Sequence, residues 1–205
     1  MIERNFLVIG NSIAEHGKCR YWPARYGMAA SAIDKDFVHL VEQKLAPYGF
    51  VATVVNMANF EMMSYDRAES LALLDKALLK KYDLVIIQLG ENTREYETFE
   101  EDLLDMMNYV TESQGRNVPT IFLGNFWQND ELDNIKKRVC QRIKSAYIDL
   151  KDIQNNEQYM AGIGYQVHDF NGNIYSVNHK GVALHPNDRA MEVIANRIVD
   201  RIKFQ

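Results

Sequence analysis

The chain opens with a short apolar run, Phe6-Leu7-Val8-Ile9, that ends in Gly10-Asn11-Ser12-Ile13, and similar runs recur in residues 50–57, 82–90 and 118–124. All are rich in Val and Ile and each is too short for a helix, so they read as strands buried on both faces. Between them lie stretches with helical spacing of apolar positions, residues 35–45, 67–80, 98–111 and 130–144. In the second of these, Leu71, Leu74, Ala77 and Leu78 share one side. A short strand in residues 145–150 and a helix over about 187–203, in which Ala190, Ile194, Ile198 and Ile202 recur every four residues, complete the alternation.

Strands and helices alternating in this way predict an α/β fold: a flavodoxin-like three-layer sandwich with a five-stranded parallel sheet and helices on both faces. Residues 151–184 break the pattern. There Asn171-Gly172 stands between alternating residues and signals a tight hairpin, because both central turn positions favour positive φ. Long connections in compact domains often carry function, which makes this hairpin a candidate wall or lid. No repeat or linker divides the 205 residues, a length that suits one well-cored domain, so 1–205 reads as a single unit.

Composition narrows the classes further. Apolar residues make up 47% and charged residues 25%, the usage of a soluble globular protein. The net charge is only −5 and Lys and Arg are scattered, so no nucleic-acid footprint is visible. Cys19 and Cys140 have no second pair at metal-ligand spacing, and the count suits a reducing compartment. Residues 6–9 are too short for a signal peptide or membrane span. The expectation is a cytoplasmic protein with no nucleic-acid or membrane partner, no metal and no cofactor.

Chemistry in a parallel sheet gathers outside the carboxyl ends of the strands, where Ser12 stands. Gly10 permits a tight turn that exposes both the Oγ and the N–H of Ser12, and a serine so placed can attack a carbonyl while its N–H faces the developing oxyanion. Asn11 and Ser12 also suit a plain turn or helix cap, or a phosphate-holding loop, although the Gly-Lys-Ser/Thr ending of a P-loop is missing. A nucleophilic serine needs a base, and there are five histidines. His16 is close to Ser12 in sequence, His39 falls in an amphipathic helix, His168 in the hairpin and His179 in a loop. His185 is different: it precedes Pro186, on a junction stiffened toward extended backbone before the last helix. Asn92, at the end of the third run, should project beside Ser12, where its amide N–H could bond an oxyanion.

Gly-Asn-Ser-Ile after the first strand, Gly90-Glu91-Asn92 after the third and His185-Pro186 before the last helix together resemble the blocks of the SGNH or GDSL hydrolases, a family of flavodoxin-like serine esterases, lipases and carbohydrate deacetylases. The resemblance spans nearly the whole chain. It implies Ser12 as nucleophile, His185 as base, and an oxyanion hole formed by the N–H of Ser12, the N–H of Glu61 or a neighbour, and the side chain of Asn92. It also implies acyl transfer to water without a metal. The chain departs from the pattern at four points: Asn11 replaces Asp in the first block, residues 55–63 lack the oxyanion-hole glycine, Thr93 replaces the Asp of the third block, and Val182 replaces the Asp three residues before the histidine. A backbone carbonyl near Gly181 or Val182, or a carboxylate of Asp188, Asp169 or Glu91, could orient His185 instead.

Aromatic residues at the same edge suggest a pocket for carbohydrate rings or small acyl groups: Tyr21, Trp22 and Tyr26 after the first block, and Phe126 and Trp127 after the fourth strand. Asn11, Trp22 and Trp127 are the candidate substrate contacts. The leading expectation is a carboxylester hydrolase acting on a small or carbohydrate-linked ester. The alternatives are a catalytically impaired binding module on the same fold and a flavodoxin-like nucleotide- or phosphate-binding protein.

Overall fold

The computed structural model describes residues 3–62 and 67–202. In chain order the elements are β1 (Arg4–Gly10), α1 (Phe37–Leu45), β2 (Phe50–Asn56), α2 (Ala58–Met62), α3 (Arg67–Ser70), α4 (Asp75–Leu78), β3 (Leu84–Gln88), α5 (Phe99–Gln114), β4 (Thr120–Leu123), α6 (Asp130–Ile143), β5 (Ala146–Ile148), β6 (Gln166–His168), β7 (Ile174–Ser176), α7 (Lys180–Ala183) and α8 (Asp188–Arg201). The first five strands form one parallel sheet in the order β2-β1-β3-β4-β5, the predicted flavodoxin-like arrangement.

Strand alternation divides the core into two layers. Phe6 and Val8 of β1 and Ile86 of β3 face α1 and α8, packing with Val38, Val41, Ile194 and Ile198. Leu7 and Ile9, with Val85 and Ile87, face the other way, toward Leu103 and Val110 of α5 and Ile135 and Val139 of α6. All five residues of β3 are buried, as expected of a central strand covered on both sides.

Local signals set the helix starts. The side chains of Asp36, Asn129 and Asn187 accept the N–H of His39, Leu132 and Ala190, capping α1, α6 and α8. Pro186 therefore stands just ahead of the cap of α8 rather than in its first turn. The expected helix over 67–80 is instead α3, a 3-10 turn at Leu71–Leu74 and α4. The apolar pattern marks a buried face there without distinguishing i→i+3 from i→i+4 winding. Residue 203, the last of the expected terminal helix, lies outside the described residues.

The hairpin is present: β6 and β7 pair antiparallel, with Gly172 at φ +79° in the turn. It packs on the loop after β1, where the Tyr26 hydroxyl donates to the His168 carbonyl and the Phe170 ring meets Tyr26 edge-on. Among the described residues no helix is long and apolar enough to cross a membrane.

Candidate active site

The chain leaves β1 through Gly10, where a side chain would collide with the Cβ of Ala14 at 2.6 Å, so the turn closes only around glycine. Ala14 and Glu15 both donate to the Asn11 carbonyl, at 3.0 Å each, and wind the chain through one helical turn that lifts Ser12 to the rim. Among the described residues the N–H of Ser12 enters no hydrogen bond, which leaves it available to an anion.

His185 reaches the same point from the far end of the sequence. Its Nε2 lies 2.9 Å from the Ser12 Oγ across 173 positions. Its Nδ1 lies 2.7 Å from the Gly181 carbonyl oxygen. A carbonyl can only accept, so Nδ1 carries the proton and Nε2 presents its lone pair to the Ser12 hydroxyl. Burial pushes the imidazole pKa down to about 4; the Gly181 hydrogen bond works against that shift, and His16 and His179 add to it. The ring is thus neutral, the form a general base needs, over most of the pH range.

Backbone straps hold this imidazole. Its own N–H donates to Val182, its carbonyl accepts from Ala161, and Asn187 donates to Tyr159 just beyond it. None of the three carboxylates considered as its orienter touches it: Asp188 accepts from Ser31, Asp169 closes the hairpin turn, and Glu91 accepts from Asn11 and Phe126.

The cavity beside Ser12 and His185 has a volume of about 300 Å³. Asn92 lines it, reaching the rim of β3 through Gly90, whose φ of +130° and closeness to Asn125 leave no room for a side chain. Ala58 and Met62 of α2 form another wall, and Tyr21, His16 and His179 form the mouth, with the Tyr21 and His179 rings stacked at 4.4 Å. The sequence gives no periodic signal for those three, since they lie in loops that only tertiary packing brings together.

The three expected substrate contacts are placed elsewhere. Asn11 is fully buried beneath Ser12, because its Oδ1 takes the Ile13 N–H and its Nδ2 donates to Glu61 and Glu91. Trp22 is 1% exposed and packs edge-on against Tyr26 in the core, with no share in the Ser12 cavity. Trp127 stands behind His185: its indole N–H donates to the Leu184 carbonyl, and its ring meets that of His185 edge-on at 5.0 Å. The hairpin also misses this cavity and borders a separate one of about 240 Å³ with Trp22.

Glu61 enters through its side chain. It is buried at 1% exposure, accepts from Asn11 at 3.0 Å and from the Gly90 N–H with one oxygen, and accepts from Asn92 at 2.6 Å with the other. Burial and the nearby Glu91 raise its pKa to about 7, against the pull of these three donors. Among the described residues no group of His, Cys, Asp and Glu is arranged to hold a metal.

Fold and site together define a three-layer α/β sandwich with a serine–histidine pair at the carboxyl rim of its sheet. No family model and no curated protein matches the sequence, but solved structures share the fold. One is a two-domain esterase (CEX) active on acetylated mannans, at TM-score 0.61 and 15% identity over 97% of this chain and 48% of that one. Another is a family two carbohydrate esterase from Cellvibrio japonicus, at TM-score 0.55 and 11% identity over 97% of this chain and 60% of that one. A third is a member of the lipolytic protein G-D-S-L family from Veillonella parvula DSM 2008, at TM-score 0.56 and 11% identity over 97% and 98%. The chain thus spans about half the length of the mannan esterase. At these identities the likeness is one of fold, that of the SGNH hydrolases.

Proposed function

We propose that the protein is a carboxylester hydrolase of the SGNH type, with Ser12 as nucleophile and His185 as general base. The observation that carries the reading is the line from the Ser12 Oγ through the His185 imidazole to the Gly181 carbonyl, at 2.9 and 2.7 Å. Ser12 attacks the ester carbonyl carbon, its proton passes to Nε2, and the carbonyl electron pair becomes an oxyanion. That charge is held by the N–H of Ser12, the N–H of Glu61 or a neighbour on α2, and the amide of Asn92. Collapse breaks the ester C–O bond, and the departing alcohol takes the proton from Nε2. Water then repeats the sequence on the acyl-enzyme, releasing the acid and restoring Ser12.

The Gly181 carbonyl does half of what an aspartate does. It fixes the tautomer and ring orientation, but as a dipole without net charge it stabilises the imidazolium less. A cavity of about 300 Å³ walled by Met28, Met62 and Ala58 favours a small acyl group, with the alcohol portion lying over Tyr21 and His179 at the mouth. Carbohydrate-linked esters fit that division, and the mannan esterase with the same fold supports it.

A fluorophosphonate probe followed by mass mapping tests the reading without knowledge of the substrate. The expected result is a single adduct on Ser12, hydrolysis of p-nitrophenyl acetate by the wild type, and loss of both in Ser12→Ala. An unlabelled Ser12 in folded protein would refute it.

A further inference from the structure

Two of the departures from the family pattern are linked in space. Asn stands at position 11 where the pattern has Asp, and Glu61 lies in the block that should carry glycine. The Asn11 amide donates to Glu61 at 3.0 Å and to Glu91 at 2.8 Å. An Asp at position 11 would instead set a third carboxylate against these two, with no hydrogen between them. The carboxylate beneath Ser12 thus comes from α2, while the β1 turn supplies a neutral amide.

We infer that Glu61 is a positioning residue for the oxyanion hole: its buried carboxylate, anchored by Asn11 and the Gly90 N–H, takes one hydrogen of the Asn92 amide and leaves the other facing the cavity that holds Ser12. The inference rests on the esterase reading and adds to it the cause of Asn92's orientation. An isolated Asn side chain can turn its oxygen or its nitrogen toward a ligand, and the oxygen would repel an oxyanion. A carboxylate accepts only, so the nitrogen of Asn92 must face Glu61. Burying that carboxylate is costly unless it is hydrogen-bonded, and three donors meet it here. The charged and titratable groups around it are Glu91, on the turn after β3, and the fully buried Lys136 of α6, which lies within electrostatic reach of both carboxylates.

The arrangement also makes the site sensitive to pH. Protonated Glu61 loses an acceptor and gains a hydrogen among three donors, so Asn92 is released as pH falls through neutrality. Glu61→Gln imposes a similar defect at every pH, since its amide nitrogen must face a donor.

The test compares wild type, Glu61→Gln, Asn92→Ala and the double variant, by kcat and KM for p-nitrophenyl acetate, with melting temperature as the control for folding. Glu61→Gln is expected to lower kcat about a hundredfold, the usual effect of losing one oxyanion donor, with KM nearly unchanged. The double variant should be no slower than Asn92→Ala. The wild-type kcat should fall as pH drops through neutrality, and Glu61→Gln should lack that limb. If Glu61→Gln fails to fold, Glu61→Asp replaces it, with a smaller loss of kcat that again vanishes in the Asn92→Ala background. Independent, multiplying effects of the two substitutions in an active enzyme overturn the positioning role alone. A wild type that is neither labelled by fluorophosphonate nor active overturns the hydrolase reading and this inference with it.

Discussion

The side of the proposed nucleophile, Ser12, and the side of the proposed base, His185, are held by different means. Around Ser12, side chains do the holding: Asn11, Glu61, Glu91 and Asn92 form a buried polar web that ties the ends of β1 and β3 to α2. Around His185 the backbone does it, through the Gly181 carbonyl, the strap to Ala161 and the stiff step into Pro186, with Trp127 packed behind the ring. Two carboxylates, Glu61 and Glu91, lie under the Ser12 side, whereas a backbone carbonyl meets the His185 ring. On the proposed mechanism such a site stabilises the oxyanion with fixed donors and leaves the imidazolium to a dipole.

The largest effect falls where the two sides meet. His185→Ala removes the proton acceptor of Ser12, and because nucleophile and base act as a unit, kcat for p-nitrophenyl acetate should drop by roughly 10⁴ or more, matching Ser12→Ala. Combining the two should add nothing. A His185→Ala protein that retained a tenth of wild-type activity would mean that another group, with His16 and His179 the nearest imidazoles at the cavity, takes the proton.

Asn92→Ala comes next. It deletes one oxyanion donor and should cost about a hundredfold in kcat, or about 3 kcal/mol of barrier, with little change in KM. Fluorophosphonate labelling should slow in parallel, because phosphonylation develops the same negative oxygen. Equal losses in kcat and in substrate affinity would assign Asn92 to substrate binding instead and weaken the contrast between the two sides.

Trp127→Ala probes the base side, with an expected loss of about tenfold, since the base is loosened but present. Its sharper signature is in pH. Burial is the main cause that holds the His185 pKa down near 4, and removing the indole lets water reach the ring. The folded pKa should then climb toward its ordinary value of 6.5. Activity depends on neutral imidazole and is lost as pH falls through that pKa, so in the Glu61→Gln background, which lacks the limb near neutrality, the remaining acidic limb should move upward. An unmoved limb would show that Trp127 is a passive neighbour.

Much of this was legible in the chain, and the division is instructive. The strands and their order followed from Val- and Ile-rich runs alternating with helical spacing, because a two-sided parallel sheet leaves a strong periodic record. Ser12, Asn92 and His185 could be placed because each sits at a junction set by Gly10, Gly90 or Pro186. Asn11, Trp22 and Trp127 carried the right chemistry at the right edge, but direction was missing: whether a polar or aromatic side chain at a rim faces the cavity or the core depends on partners far away in sequence. Asn11 turns inward to meet Glu61, 50 positions on, and Trp127 backs onto Leu184, 57 positions on. Glu61 was noticed for a missing glycine, while its carboxylate, which gathers three donors, had no local signal at all.

The smallest effect is expected at the tip of the β6–β7 hairpin, which belongs to the base side by sequence and contributes nothing to the walls of the Ser12 cavity. Gly172 has φ +79°, and a side chain there would meet no atom within 4 Å, so Gly172→Ala carries only the conformational penalty of the left-handed region. That penalty is about 1 kcal/mol. In a chain of this size it should lower the melting temperature by roughly 2–4 °C. Because the hairpin meets the loop after β1 at Tyr26 and at the Ser31 carbonyl, which accepts the His168 N–H, and none of these residues lines the Ser12 cavity, kcat and KM should stay at wild-type values. A fall in kcat at unchanged stability would instead mean that the hairpin closes over the cavity during turnover, and the base side would then include a moving part that the resting geometry keeps aside.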